Sequence, residues 1–199
     1  MRILVCGAEG TVGKAAISGL AKGHDIIKAG RKSGDVHVDV NDETSVRAMY
    51  QKLGKVDAVV ACTGHSYFGP VSGMTPTQFI DGLKDKVMGQ VNLVLLGMDF
   101  VNDGGSFTLT SGILSRDPIR QGANAAACDG ALDAFVIGSA IEMPRGLRIN
   151  AISPGLLAAA AQKYDGFFPG HVPVSNERIG FAFAKSIEGA VTGQIICVD

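Results

Sequence analysis

The stretch from Arg2 to Gly13 constrains this chain most. It reads Arg-Ile-Leu-Val-Cys-Gly-Ala-Glu-Gly-Thr-Val-Gly. Ile3 to Cys6 has the pattern of a buried strand. Val12, Ala15, Ala16 and Leu20 give the next segment the spacing of a helix. A strand that feeds a helix through glycines makes an anion site. The helix N-terminus offers unpaired N–H groups and a partial positive charge, and glycine lets a phosphate approach the backbone. The spacing is G-x-x-G-x-x-G rather than the commoner G-x-G-x-x-G, and glycine spacing alone carries little. Its place between an apolar strand and an amphipathic helix points to a dinucleotide. On this reading Gly7, Gly10 and Gly13, with Thr11 and Val12, hold a pyrophosphate, and Glu9 turns outward. The plainer alternative is an ordinary strand-to-helix turn in another α/β protein.

The rest of the chain repeats the theme. Strand-like runs at His24–Ala29, Val36–Val40, Val56–Ala61, Ser106–Thr110, Leu147–Ile152 and Gln194–Val198 alternate with helical patterns. The helical patterns cover Glu43–Leu53, capped by Asn41 or Asp42; Phe79–Val101, ended by Asn102-Asp103-Gly104-Gly105; Ala123–Met143; and Glu177–Glu188, capped by Asn176. Gly30–Gly34 leaves no room for a crossover helix, so the third strand should be short. Alternation of this kind predicts an α/β fold: a Rossmann-like, doubly wound parallel sheet of about seven strands with helices on both faces. With no linker and 199 residues, the expectation is one domain, 1–199. Ligands in such sheets bind at the carboxyl ends of the strands, which here carry the loops at 7–13, 30–34, 62–65, 111–115 and 153–156.

Composition excludes several classes. A formal net charge of −1 gives no reason to expect nucleic acid as a partner. No apolar run is long enough to span a membrane, and the N-terminus does not read as a signal peptide. The four cysteines have no metal-ligand spacing and read as small buried hydrophobes, so no metal is expected. Together these predict a cytoplasmic protein.

The loop after the second strand bears on cofactor choice. An acidic residue there holds a ribose 2′-hydroxyl, whereas a basic one accommodates a 2′-phosphate. Arg31, Lys32 and Ser33 stand there, with no acid before Asp35. An Arg fork beside a hydroxyl suits phosphate, so NADP is expected over NAD. The bland alternative is a solvated basic turn.

These motifs, in this order, resemble the short-chain dehydrogenase/reductase family along essentially the whole chain. Gly7–Gly13 resembles its cofactor turn. Asp39-Val40 resembles the residues that meet the adenine edge. Ala61-Cys62-Thr63-Gly64 resembles its Asn-Asn-Ala-Gly segment, with both asparagines replaced. Leu109-Thr110-Ser111 resembles the strand ending in the catalytic serine. Pro144 to Gly155, including Pro154 and Gly155, looks like the sixth strand and its Pro-Gly turn, and Thr192-Gly193-Gln194 like the lead-in to the last strand. The resemblance implies a nicotinamide cofactor, a small carbonyl or alcohol substrate, and a homodimer or homotetramer formed through the 79–101 and 123–143 helices.

The catalytic helix departs from the family. Members place a Tyr and, four residues on, a Lys on one helix face; the Lys lowers the Tyr pKa and holds the nicotinamide ribose. Counting back from Gly130–Phe135 puts Ala125 at the Tyr and Asp129 at the Lys. The family's Asn aligns with Lys86. Of four residues only Ser111 remains, to orient a carbonyl. Lys86 is a candidate for the missing cation or for a structural ion pair with Asp129. His65 is the first candidate for a substitute acid, and Tyr164 the second, with Tyr67 nearby. Two functions are compatible with this: an NADP(H)-dependent oxidoreductase with a degenerate catalytic set, or an inactive NADP(H)-binding sensor or partner subunit.

Overall fold

The computed structural model describes residues 1–20 and 22–199. Seven strands form one sheet: β1 (Arg2–Cys6), β2 (Asp25–Gly30), β3 (Val36–His37), β4 (Val56–Ala61), β5 (Val101–Thr110), β6 (Arg148–Pro154) and β7 (Ile195–Val198). Their order is β3-β2-β1-β4-β5-β6-β7, and every pair is parallel. The chain reverses direction across the sheet between β1 and β4, which places the switch point beside the glycine turn.

Period-two alternation splits the strand side chains between two apolar layers. Leu4, Cys6, Val59, Phe107 and Ile149 face one side, under α2 (Glu43–Leu53), α4 (Gly89–Leu95) and α5 (Ala123–Ala140). Ile3, Val5, Val60 and Ile152 face the other, under α1 (Thr11–Gly19) and α6 (Asn176–Ile187). Burial on both faces explains why these strands read as continuous apolar runs. A third apolar cluster, of Ile113, Leu114 and Ala125 with Phe68 and Phe168 against it, lies apart from both layers.

Several element boundaries differ from those expected. The helix expected over 79–101 is a composite. α3 (Pro76–Gly82), opened by a Thr75–Gln78 capping box, runs through a π-helical turn, Leu83–Met88, into α4 and stops at Leu95. Gly97 then passes against the Tyr50 ring, where a Cβ would lie 2.4 Å from the hydroxyl. Tyr50 donates to the Leu93 carbonyl at 2.7 Å, closing the end of the helix. Gly104 and Gly105 therefore end no helix. β5 already begins at Val101, and its pairing with β4 slips between Val101 and Ser106, so the extra residues bulge out with Gly104 at φ +74. β3 is shorter than the run Val36–Val40, because only Val36 and His37 pair with β2. The last helix is capped by Ser175, whose Oγ accepts from the Arg178 N–H at 3.3 Å, and not by Asn176. Asp42, not Asn41, caps α2. The first helix, whose apolar spacing runs to Leu20, ends at Gly19. Among the described residues, no helix is long and apolar enough to cross a membrane.

Candidate functional site

The carboxyl ends of the strands carry a cavity of about 530 Å³. One wall is the glycine turn. Gly7 sits at φ +81, donates its N–H to the Ala29 carbonyl, and passes so close to β4 that a Cβ would lie 2.3 Å from the Cys62 carbonyl oxygen. A Cβ on Gly13 would meet the Gly7 carbonyl at the same distance, so α1 can seat on the sheet only with glycine there. Gly10 is the N-cap of α1 and has no side-chain cap. The helix-start N–H groups are thus left for a ligand, and the first turn carries no carboxylate. Val12 lines the cavity; Thr11 is exposed. Glu9 faces Lys28 at 3.1 Å and Lys14 at 3.8 Å, which draws its charge onto β2 and neutralises it.

At the end of β2, Arg31, Lys32 and Ser33 are exposed, and neither cation has an ion-pair partner among the described residues. Gly34, at φ +116, folds the chain back so that the Asp35 carboxylate accepts from the Lys28 N–H at 2.9 Å. The nearest acid is thereby held against β2. The Asp39 carboxylate accepts from the Asn41 N–H at 3.1 Å, and the Val40 carbonyl accepts from Asn92 at 3.0 Å.

β4 and β5 stop pairing at Val60 and Thr108, and side chains bridge the strand ends beyond that point. The Thr110 hydroxyl donates to the Ala61 carbonyl at 2.7 Å. Gln90, fully buried on α4, accepts from the Thr110 N–H at 2.8 Å and donates to the Thr110 carbonyl at 2.9 Å and the Thr63 carbonyl at 3.3 Å. Sequence reasoning missed Gln90; its one signal was an amide inside the apolar run of Val87, Val91 and Val94. Cys62, Thr63 and Gly64 line the cavity from this side, as Pro154 and Gly155 do from β6. The Cys62 thiol is pushed up to about 12 by burial, against a hydrogen bond from Thr110, so it stays protonated and inert.

Ser111 sits at the tip of β5. Its N–H donates to the Ile152 carbonyl at 2.9 Å, and the residue is 3% exposed. Ser111 and Thr63 both line the cavity, and the buried hydroxyl oxygen of each has no hydrogen-bond partner among the described residues. A buried hydroxyl left unsatisfied is costly unless a ligand completes it. Beside it, Lys86 projects from the π-helical turn, a distortion that re-aims a side chain. Its Nζ lies 2.5 Å from Asp129 Oδ1 and 3.3 Å from the Ser111 carbonyl. The expected ion pair is therefore present. Asp129 reaches it beneath Gly112, where a Cβ would lie 2.6 Å from Asp129 Oδ2. Burial pushes the Asp129 carboxyl above its ordinary value; Lys86 and the Leu114 N–H oppose that without reversing it. Ala125 lines the same cavity.

His65 lines the mouth, with its side chain 82% exposed. Asp85 holds it through its backbone N–H at 2.8 Å and Nδ1 at 3.2 Å. Burial would raise the Asp85 carboxyl, but hydrogen bonds from Asn41 and His65 outweigh it and bring it below the usual value. Tyr164 lines the opposite wall, while Tyr67 is turned against Gly69, away from the cavity. Among the described residues, no cluster of His, Cys, Asp and Glu could hold a metal ion.

The uncapped turn, the glycine cradles and the orphaned Thr63 and Ser111 hydroxyls fit a dinucleotide laid along this edge. The family described as enoyl-(acyl carrier protein) reductase, of the short-chain dehydrogenase type, matches residues 7–199. The chain belongs to the short-chain dehydrogenase/reductase family. It is similar to the protein lin1944 from Listeria innocua, at 48% identity over all of both chains and a TM-score of 0.97. It is also similar to a small-chain dehydrogenase crystallised in complex with NADPH, at 28% identity over all of this chain and 96% of that one, with a TM-score of 0.86. A short-chain type dehydrogenase/reductase from Mycobacterium ulcerans, 22% identical over all of this chain and 88% of that one, shares the fold at a TM-score of 0.85. The comparison with curated proteins gave no match.

Proposed function

We propose that this protein is an NADP(H)-dependent oxidoreductase acting on a small carbonyl or alcohol, with Ser111 and Lys86 as its working polar groups. The observation that carries this reading is Ser111, a residue of the cavity wall whose buried hydroxyl has no partner among the described residues and whose carbonyl accepts from Lys86. The bound cofactor would supply a hydride at its nicotinamide ring. The chain's own residues do the rest. The N–H groups at the start of α1, from Thr11 to Gly13, receive the pyrophosphate, while the Gly10 N–H is already given to the Gly7 carbonyl. Arg31 and Ser33 receive the 2′-phosphate, in keeping with the NADPH seen in a 28%-identical relative. Asp39 and Val40 border the adenine side. Ser111 donates its hydroxyl proton to the carbonyl oxygen in a hydrogen bond. Lys86, its charge shared with Asp129, steadies that oxygen as it gains charge, and His65 in the cavity lining supplies the proton that completes the alcohol.

The second reading, a nucleotide-binding protein without turnover, is favoured by Ala125 and Asp129, which counting back from Gly130–Phe135 sets at the family's Tyr and Lys places. Fluorescence titration with NADPH and NADH, followed by single-turnover NADPH oxidation over a broad carbonyl panel, separates the two. The oxidoreductase reading expects tighter binding of NADPH than of NADH, a preference lost in Arg31→Ala, and oxidation with at least one carbonyl. NADPH binding without oxidation, with activity appearing in Ala125→Tyr/Asp129→Lys, would establish the second reading. No binding of either nucleotide would defeat both.

A further inference from the structure

Two loops meet across the cavity through aromatic rings. Phe68 follows β4. Tyr164, Phe167 and Phe168 belong to the segment between β6 and α6, which is tied at its ends by the parallel bridge Leu157–Val174. The ring centroids of Phe68 and Tyr164 lie 5.9 Å apart, those of Phe68 and Phe167 6.3 Å, and those of Tyr164 and Phe168 6.0 Å. The last two pairs stand at 88° and 81°, so the rings form corners instead of a stack. Such corners offer a guest ring both a face and edges, the arrangements aromatic pairs prefer. The neighbouring wall is Ile113, Leu114 and Ala125, and the alanine methyl leaves depth at the helix start.

Charge sorts the possible guests further. The Lys86 cation is matched by Asp129, and His65 is held by Asp85. Lys163 also lines the cavity. Its Nζ lies 5.3 Å from the Tyr164 ring centroid, and it has no carboxylate partner among the described residues. The cavity thus carries one uncompensated positive charge, placed at the aromatic end.

We infer that the cavity is shaped for an aryl carbonyl compound bearing a carboxylate, its ring in the Phe68–Tyr164–Phe167–Phe168 corner and its anion toward Lys163. This rests on the oxidoreductase reading above for the carbonyl, and on the walls alone for the ring and the charge. The test is equilibrium binding, by calorimetry, of phenylglyoxylate, acetophenone and pyruvate to the protein, both free and loaded with NADP⁺. The ring should favour phenylglyoxylate over pyruvate by at least ~10-fold, as burial of an aromatic face implies. The charge, being exposed, should favour it over acetophenone by a smaller factor of roughly 2 to 5. Lys163→Gln should abolish the second advantage and keep the first. Tyr164→Leu should weaken the first, and Tyr164→Phe should restore it. Pyruvate or acetophenone binding as tightly as phenylglyoxylate, or a Lys163→Gln protein that keeps the charge advantage, would overturn the inference. If the expected order holds but NADPH is never consumed, the inference stands and the oxidoreductase reading falls. If NADPH is consumed with other carbonyls and the order is absent, the reverse holds.

Discussion

At the scale of single residues, the site turns on which polar atoms are satisfied and which are left open. Ser111 Oγ is left open and Lys86 is not. Replacing Ser111 by Ala should therefore cost turnover more than binding. Removal of one positioned hydrogen-bond donor lowers kcat by about 100-fold, and a pre-steady-state assay beside an NADPH titration would show kcat falling with cofactor affinity unchanged. Asp129 gives a pH prediction. Its folded-state pKa lies above the ordinary 3.8, so the folded state holds its proton more tightly than the unfolded state. That contribution is fully present below the ordinary value and is lost as pH rises through the raised one. Urea unfolding of wild type and Asp129→Asn across this window should show the wild type losing stability relative to the variant as pH rises. A difference that grows in its favour would contradict the assignment. Much of this was legible in the sequence. Gly7, Gly13 and Ser111 announce themselves because only one residue type serves each place. Asp35 and Gln90 did not. Where the Asp35 carboxylate goes depends on the left-handed turn at Gly34, and what Gln90 bonds depends on two strands that part far from it in sequence.

At the scale of elements, the glycine turn is only as well placed as the helix behind it. α1 is held by α6 at a crossing where a Cβ on Gly180 would lie 2.7 Å from Gly19 Cα, and one on Gly19 would lie 2.2 Å from Gly180 Cα. Gly180→Ala should force the helices apart at a cost of about 1–3 kcal/mol. It should also weaken NADPH binding, since α1 carries the N–H groups proposed to receive the phosphates; calorimetric melting and a nucleotide titration would read the two effects. A variant that melts like the wild type would show that the crossing has slack. The helix running from α3 to α4 shows where pattern reading stops. Its apolar positions predicted a helix and a helix formed, but the π-helical turn that aims Lys86 leaves no periodic signature. The early start of β5 was hidden as well, because Asn102 to Gly105 reads as a terminator and serves instead as a bulge.

At the scale of the whole molecule, the parallel sheet of seven strands and its burial on two faces followed from alternation of strand and helix patterns, a signal spread over the entire chain and so robust to local error, whereas the order of the strands did not. The surface was less legible. Met88 and Leu95 remain exposed on the helical run, Ile137 on α5 and Ile141 at its C-cap, with Ile141 at 91%. We propose that a second copy of the chain covers these helices. On that proposal Ile141→Asp should shift the sedimentation profile toward monomer at micromolar concentration, while a wild type already monomeric there would refute it. One feature of the cavity reaches beyond any single variant. Past Val60 and Thr108 the two central strands are no longer spaced by a backbone ladder, because the Thr110 hydroxyl and the Gln90 amide bridge them instead. The gauge of the cleft is thus set by two side-chain lengths, and changes at Thr110 or Gln90 can widen or narrow the opening while the sheet beneath keeps its register.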